Sequence, residues 1–218
     1  MDPVINRWNG VEDRTEPREP ASREFELIVI GCSLGGMHAL NTILSAIPHG
    51  FQTPIAVVQH RHKRSNENLP DFFRRMTHLC VVDVEDKQWI KPNCVYLAPA
   101  DYHLLVERGT FSLSVDAAVA HSRPSIDVLF ESAADAYGER VIGVVLTGMN
   151  DDGARGARRI KERGGFLVVQ DPSTAEAPAM PQAAINATRV DRILPLEQIG
   201  PFLVELCRSS RVVNTQRI

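Results

Sequence analysis

From Leu27 onward the chain alternates short apolar runs rich in β-branched residues with stretches of helical length. The runs are Leu27 to Ile30, Ile55 to Val58, Cys80 to Val82, Val141 to Leu146, Phe166 to Val169 and a weaker Arg192 to Leu194. Runs that are apolar at consecutive rather than alternate positions suit parallel strands covered on both faces. Between them, Met37 to Ala46 and Gly153 to Arg163 carry apolar positions at helical spacing. After Ser125, the residues Ile126, Leu129, Phe130, Ala133, Ala134 and Tyr137 fall near one helix face before Gly138 ends the run. This pattern predicts an α/β fold of three layers, doubly wound on a mostly parallel sheet. One segment interrupts the alternation. Cys94 to Ala98, His103 to Val106 and Phe111 to Val115 are joined by short turns rich in Pro, Asp and Gly, and they predict an inserted antiparallel β-meander.

The ends of the chain lack this pattern. Residues 1–24 mix charges with Pro3, Pro17 and Pro20 and offer little to bury, so they are expected to form a flexible leader. Residues 25–208 then make one folded domain, and 209–218 a flexible tail. No apolar run approaches the roughly 20 residues needed to cross a bilayer, and the first residues lack the apolar core of a signal peptide. No membrane insertion and a cytoplasmic location are expected. Cys32, Cys80, Cys94 and Cys207 show no Cys-x-x-Cys pair and no His spacing suited to zinc, so they read as reduced, mostly buried thiols with no metal or other cofactor. A net charge of −3 provides no general field for nucleic acid, which leaves any charge-based recognition to local clusters.

Candidate chemistry gathers at strand ends. The first strand opens into Gly31-Cys32-Ser33-Leu34-Gly35-Gly36 before a helix, the place where open α/β sheets form their sites. A dinucleotide site would need Gly-x-Gly-x-x-Gly and an acidic residue closing the second strand, but Ser33 stands at the second glycine position and the second strand ends in Gln59-His60. Ser33 capping the following helix is the simplest alternative. His60 raises the other possibility, because a right-handed crossover brings it to the same sheet edge, and a serine becomes nucleophilic when an imidazole takes its proton. A third strand end reads Thr147-Gly148-Met149-Asn150-Asp151-Asp152-Gly153. A carboxylate there would orient the imidazole, while the same residues also suit the start of a helix.

The segments Gly31 to Gly36, Gln59-His60, Val95 to Leu104, Ser122 to Asp127, Leu146 to Ala154 and Ala179-Met180-Pro181, in that order, resemble the catalytic domain of bacterial chemotaxis protein-glutamate methylesterases. The resemblance covers nearly all of residues 26–206 and identifies 25–208 as such a domain. It implies Ser33 as nucleophile, His60 as general base, Asp152 as the orienting acid, and backbone groups near Leu34 and Met149 as the oxyanion and substrate site. It implies methylated cytoplasmic helices of chemoreceptors as substrate, with glutamine deamidation as a related activity. The basic run His60-Arg61-His62-Lys63-Arg64 and Arg123 would then dock an acidic helix, and Arg155, Arg158 and Arg159 either join them or form a solvated face. His103 and His121 are expected to be structural, and Tyr102, Arg123 and Asp127 to line or brace the cleft. Two departures stand out: the family often has Thr or Ala at position 34, and Gly-Asn where Asn150-Asp151 stand. Its best-known members also carry a receiver domain, which some twenty leader residues are too few to form. The expectation is therefore an enzyme that is open or regulated by a partner in trans. The alternative within the same fold is a non-catalytic regulatory or binding member.

Overall fold

Seven parallel strands form the centre of the structure, a computed structural model that describes residues 24–61 and 68–215, with side chains described as far as 208. In chain order the elements are β1 (Leu27–Cys32), α1 (Gly36–Ser45), β2 (Ile55–Gln59), α2 (Leu69–Arg74), β3 (Cys80–Asp83), β4 (Cys94–Leu97), β5 (His103–Glu107), β6 (Thr110–Ser114), α3 (Ile126–Tyr137), β7 (Val141–Val145), α4 (Ala154–Glu162), β8 (Phe166–Gln170), α5 (Ala179–Ala187), β9 (Arg192–Leu194) and α6 (Leu196–Thr215). The sheet runs β3-β4-β2-β1-β7-β8-β9, and every neighbouring pair is parallel.

Two cores explain why the strands are apolar on both faces. Ile28, Ile30, Ile55, Val57, Ile142 and Val144 pack against α1, α2 and α6. Their chain neighbours Leu27, Val29, Ala56, Val58, Val141 and Val145 pack against α3, α4, α5 and the β5–β6 hairpin. A fully buried Val, Leu or Ile side chain contributes about 1.5–3 kcal/mol, and β1, β2, β7 and β8 are buried at every position.

The expected three-strand meander is corrected. Its first run, β4, lies in the main sheet parallel to both β2 and β3, and only β5 and β6 form a separate antiparallel pair. Val95 and Leu97 reach one core and Tyr96 the other, so β4 is buried from both sides as a sheet strand must be. The turn residues after it mark a change of layer rather than a hairpin, with Asp101 in the left-handed region at φ 66°. At the other end, helix α6 continues to Thr215, past the boundary expected at 208. The expected leader falls outside the described residues except for Glu24.

Strand order reverses at β1, whose neighbours β2 and β7 lie on its two sides. The turns after β1, β2 and β7 therefore share one sheet edge, at a topological switch point.

Candidate active site

Ser33 follows β1 directly, and its backbone is held on three sides. Its N–H donates to the Thr147 carbonyl at 2.9 Å, while its own carbonyl accepts from Gly36 N–H at 2.9 Å and from Gln59 Nε2 at 2.9 Å. The turn then needs Gly35 at φ 78°, where a side chain would be strained and its Cβ would come within 2.8 Å of Glu176. Gly148 keeps the space above Ser33 open, since a Cβ there would lie 3.0 Å from Ser33 Cβ and 2.5 Å from the Met180 methyl carbon. Among the described residues the Ser33 hydroxyl has no hydrogen-bond partner.

His60 continues the β2 ladder by one residue, its N–H donating to Cys32 O at 2.9 Å. Its position relative to Ser33 is thus set by strand register. The imidazole is mostly buried, and its Nε2 lies 2.7 Å from Asp152 Oδ2. Nδ1 is the ring nitrogen not engaged by the carboxylate, whereas chymotrypsin-type proteases bond their acid through Nδ1.

Asp152 has no exposed surface, and four donors surround it. His60 and the Ile126 N–H, at 2.8 Å, share Oδ2, while the Ser125 hydroxyl at 2.8 Å and the Asp127 N–H at 3.0 Å share Oδ1. Two of these are orphan N–H groups in the first turn of α3, so the carboxylate sits at a helix N-terminus, where the dipole favours negative charge. Burial pushes the Asp152 pKa up, but the bonds from His60, the two N–H groups and Ser125 outweigh it, and the net shift is downward. Asp127 makes the reciprocal cap, accepting from Gly153 N–H at 2.9 Å and Gly156 N–H at 2.7 Å at the start of α4. Burial pushes its pKa up, the Gly156 N–H opposes this, the charge of Asp152 adds to it, and the net shift is upward. The two helices that support the site therefore cap each other through Asp152 and Asp127. Asp151, its neighbour in sequence, is exposed.

Two cavities flank these residues. One of about 420 Å³ is lined by His60, Arg61, Asp101, His121, Arg123 and Pro124, among others. The other, about 530 Å³, is bounded by Leu34, Met149, Glu176, Ala177, Pro178 and Gln182, among others. Leu34 and Met149 are 48% and 70% exposed, unusual for large apolar side chains beside a serine. The basic residues singled out in the sequence divide. Arg61 is nearly buried and donates to Asp83 and to Ala98 O. Arg123 donates to Asp101 at 2.7 Å and to the carbonyls of Val115 and Asp116. Both are braced, whereas His62, Lys63 and Arg64 lie outside the described residues. Arg155, Arg158 and Arg159 pair with Glu131, Glu162 and Asp135 on the α3–α4 surface, as a solvated face does. His103 is buried, with one ring nitrogen facing the Ser125 N–H and the other Ala117 O, a structural role. His121 is exposed at the rim of the first cavity, in a turn with Ala120 where both have positive φ. Tyr102 is also exposed.

Sequence reasoning did not foresee the parts played by Ser125, which donates to Asp152, or by Thr147, whose hydroxyl donates to Leu34 O at 2.8 Å and accepts from Ala177 N–H at 2.9 Å. Only their location beside strand or helix ends hinted at them. Among the described residues no group of three or more His, Cys, Asp or Glu is arranged to hold a metal, and no helix is long and apolar enough to cross a membrane.

The family model described as CheB methylesterase matches residues 28–203. A Leptospira interrogans protein named for protein-glutamate methylesterase and protein-glutamine glutaminase activities is 50% identical over 186 residues, covering 84% of this chain and 95% of that one. The protein-glutamate methylesterase FrzG of Myxococcus xanthus is 38% identical over 199 residues, 88% of this chain and 60% of its own length. Among solved structures, the Thermotoga maritima CheB methylesterase catalytic domain superposes with a TM-score of 0.80 at 34% identity, covering 84% of this chain and 99% of that one.

Proposed function

The chain belongs to the CheB methylesterase family, and from this premise we propose that it is a protein-glutamate methylesterase acting on methylated chemoreceptor helices, with Ser33, His60 and Asp152 as its catalytic triad. The observation that carries the assignment of residues is the 2.7 Å bond from His60 Nε2 to a fully buried Asp152, in the loop after β7, the strand beside β1, at the sheet edge that also carries Ser33. His60 Nδ1 takes the Ser33 proton as Ser33 Oγ attacks the methyl ester carbonyl. The tetrahedral oxyanion forms against backbone N–H groups of Leu34 and Met149, which donate to nothing else among the described residues. His60 returns the proton to the leaving methanol, and water repeats the sequence on the acyl-enzyme to leave a glutamate. The same site acting on a glutamine side chain releases ammonia in place of methanol. Asp152 holds the imidazole in the tautomer this requires and stabilises the imidazolium that forms.

The basic run after His60 gives the substrate its charge-based contact. Arg61 and Arg123 brace the wall of the neighbouring cavity, so Arg64 is the residue in this set assigned to long-range attraction of an acidic helix. Arg64→Glu is expected to slow receptor demethylation several-fold at low ionic strength, with the difference shrinking as salt rises through 0.15 M, where the Debye length is about 8 Å. Equal rates at low salt would remove Arg64 from the docking surface.

The direct test of the reading is labelling. A serine-directed fluorophosphonate is expected to modify the purified chain at Ser33, mapped by peptide mass, and methylated receptor is expected to block it while releasing methanol. A binding module of the same fold would give neither label nor methanol.

A further inference from the structure

We infer that Cys80 and Cys94 form a dithiol site that small-molecule disulfides oxidise reversibly to an intramolecular cross-link between strands β3 and β4. The two residues are directly opposite in the parallel register, Cys80 against Cys94. Side chains at paired positions of parallel strands leave the same face of the sheet, and neighbouring strands lie about 4.8 Å apart, inside the Cα separation of about 4.4–6.8 Å that a disulfide accepts. Both side chains open onto one surface cavity of about 470 Å³, together with Val82, Tyr96 and Trp89. Cys80 is exposed and Cys94 is half-buried. The other two cysteines, Cys32 and Cys207, are buried away from solvent.

Cys80 is the more exposed thiol, and burial pushes the Cys94 pKa up, so the first step falls to Cys80. The Cys80 thiolate attacks one sulfur of a disulfide R–S–S–R, the S–S bond breaks, and one R–S⁻ leaves and takes up the proton that Cys80 lost. Cys94 then loses its proton and attacks the Cys80 sulfur of the mixed disulfide. A second R–S⁻ departs and is protonated in turn. The two protein thiols are oxidised, and one R–S–S–R is reduced to two R–SH. The product ties β3, the outermost strand on its side of the sheet, to β4 at the first of their four register pairs. An edge strand otherwise held by one ladder gains a covalent anchor.

None of this involves Ser33, His60 or Asp152, so the test stands apart from the esterase reading. The full chain, purified reduced, is treated with oxidised glutathione and weighed intact, alongside Cys80→Ser and Cys94→Ser. Wild type is expected to lose the mass of two hydrogens, to regain it with dithiothreitol, and to yield a Cys80–Cys94 linked peptide on non-reducing digestion. Cys94→Ser is expected to stop at a single glutathione adduct on Cys80, and Cys80→Ser to stay unmodified at the same exposure. The inference is overturned if wild type ends as a glutathione adduct, if it links two chains rather than two strands, or if it stays reduced where a small vicinal dithiol is oxidised.

Discussion

Ser33→Ala is expected to lower methanol release from methylated receptor by at least about 10⁴-fold, with no measurable change in stability. The rate loss follows from removing the nucleophile, after which only oxyanion contacts and substrate positioning remain. The unchanged stability follows from the geometry. Three backbone bonds hold Ser33 in place, through Thr147, Gly36 and Gln59, and all of them survive the substitution. The hydroxyl itself has no partner among the described residues, so its removal leaves no buried donor or acceptor behind. A serine serving as a helix cap would behave in the opposite way, costing about 1 kcal/mol on replacement and leaving any activity intact. Measuring methanol release and the urea midpoint on the same preparation separates the two roles, and an active, destabilised Ser33→Ala protein would end the assignment of Ser33 as nucleophile.

Much of this arrangement can be read from sequence, and the limits have physical causes. The strands of the central sheet were visible because burial on two faces demands consecutive apolar residues, as in Leu27 to Ile30 and Val141 to Val145. The pairing of β4 is not legible, because a strand carries no mark of its neighbour. Val95 and Tyr96 read alike whether the next strand is parallel or antiparallel. The placement of Ser33 and His60 at neighbouring strand ends is legible in the sequence, because the apolar runs that mark β1 and β2 stop just before them. Composition alone left Asp151 and Asp152 as equals, and their difference arises only where α3 and α4 meet. There, one carboxylate turns inward to four donors and its neighbour points to solvent. The bracing of Arg61 is not legible, because sequence does not show that Asp83, at the end of β3, lies beside it. In the same way Cys80 and Cys94, fourteen positions apart, become neighbours only through sheet register.

Asp152→Asn is expected to reduce both activity and stability, because one side chain joins the imidazole to the helix that supports it. An amide offers one oxygen where the carboxylate offers two. If that oxygen keeps Ser125 and the Asp127 N–H, the amide NH₂ faces the Ile126 N–H and His60 Nε2. The Ile126 N–H then loses its acceptor inside a site with no solvent, and His60 must accept at Nε2 and carry its proton on Nδ1, the nitrogen needed as base. The wrong tautomer is expected to lower the methanol-release rate by about 10⁴-fold, and the lost charged acceptor to lower stability by roughly 2–4 kcal/mol. The stability loss has a pH signature. The folded-state pKa of Asp152 is depressed, so its ionised form stabilises the fold above the ordinary aspartate pKa of about 3.9, and that contribution disappears as the pH falls through the lower folded value. Asp127 is shifted the other way first by burial, which both proteins share, and only then by the charge of Asp152, which the variant lacks. The gap in urea midpoint between wild type and Asp152→Asn is therefore expected to hold steady from pH 7 to about 5 and to narrow below about 4. A gap that stays constant into that acid range would show that the carboxylate charge is not what holds α3, His60 and the nucleophile's edge of the sheet together.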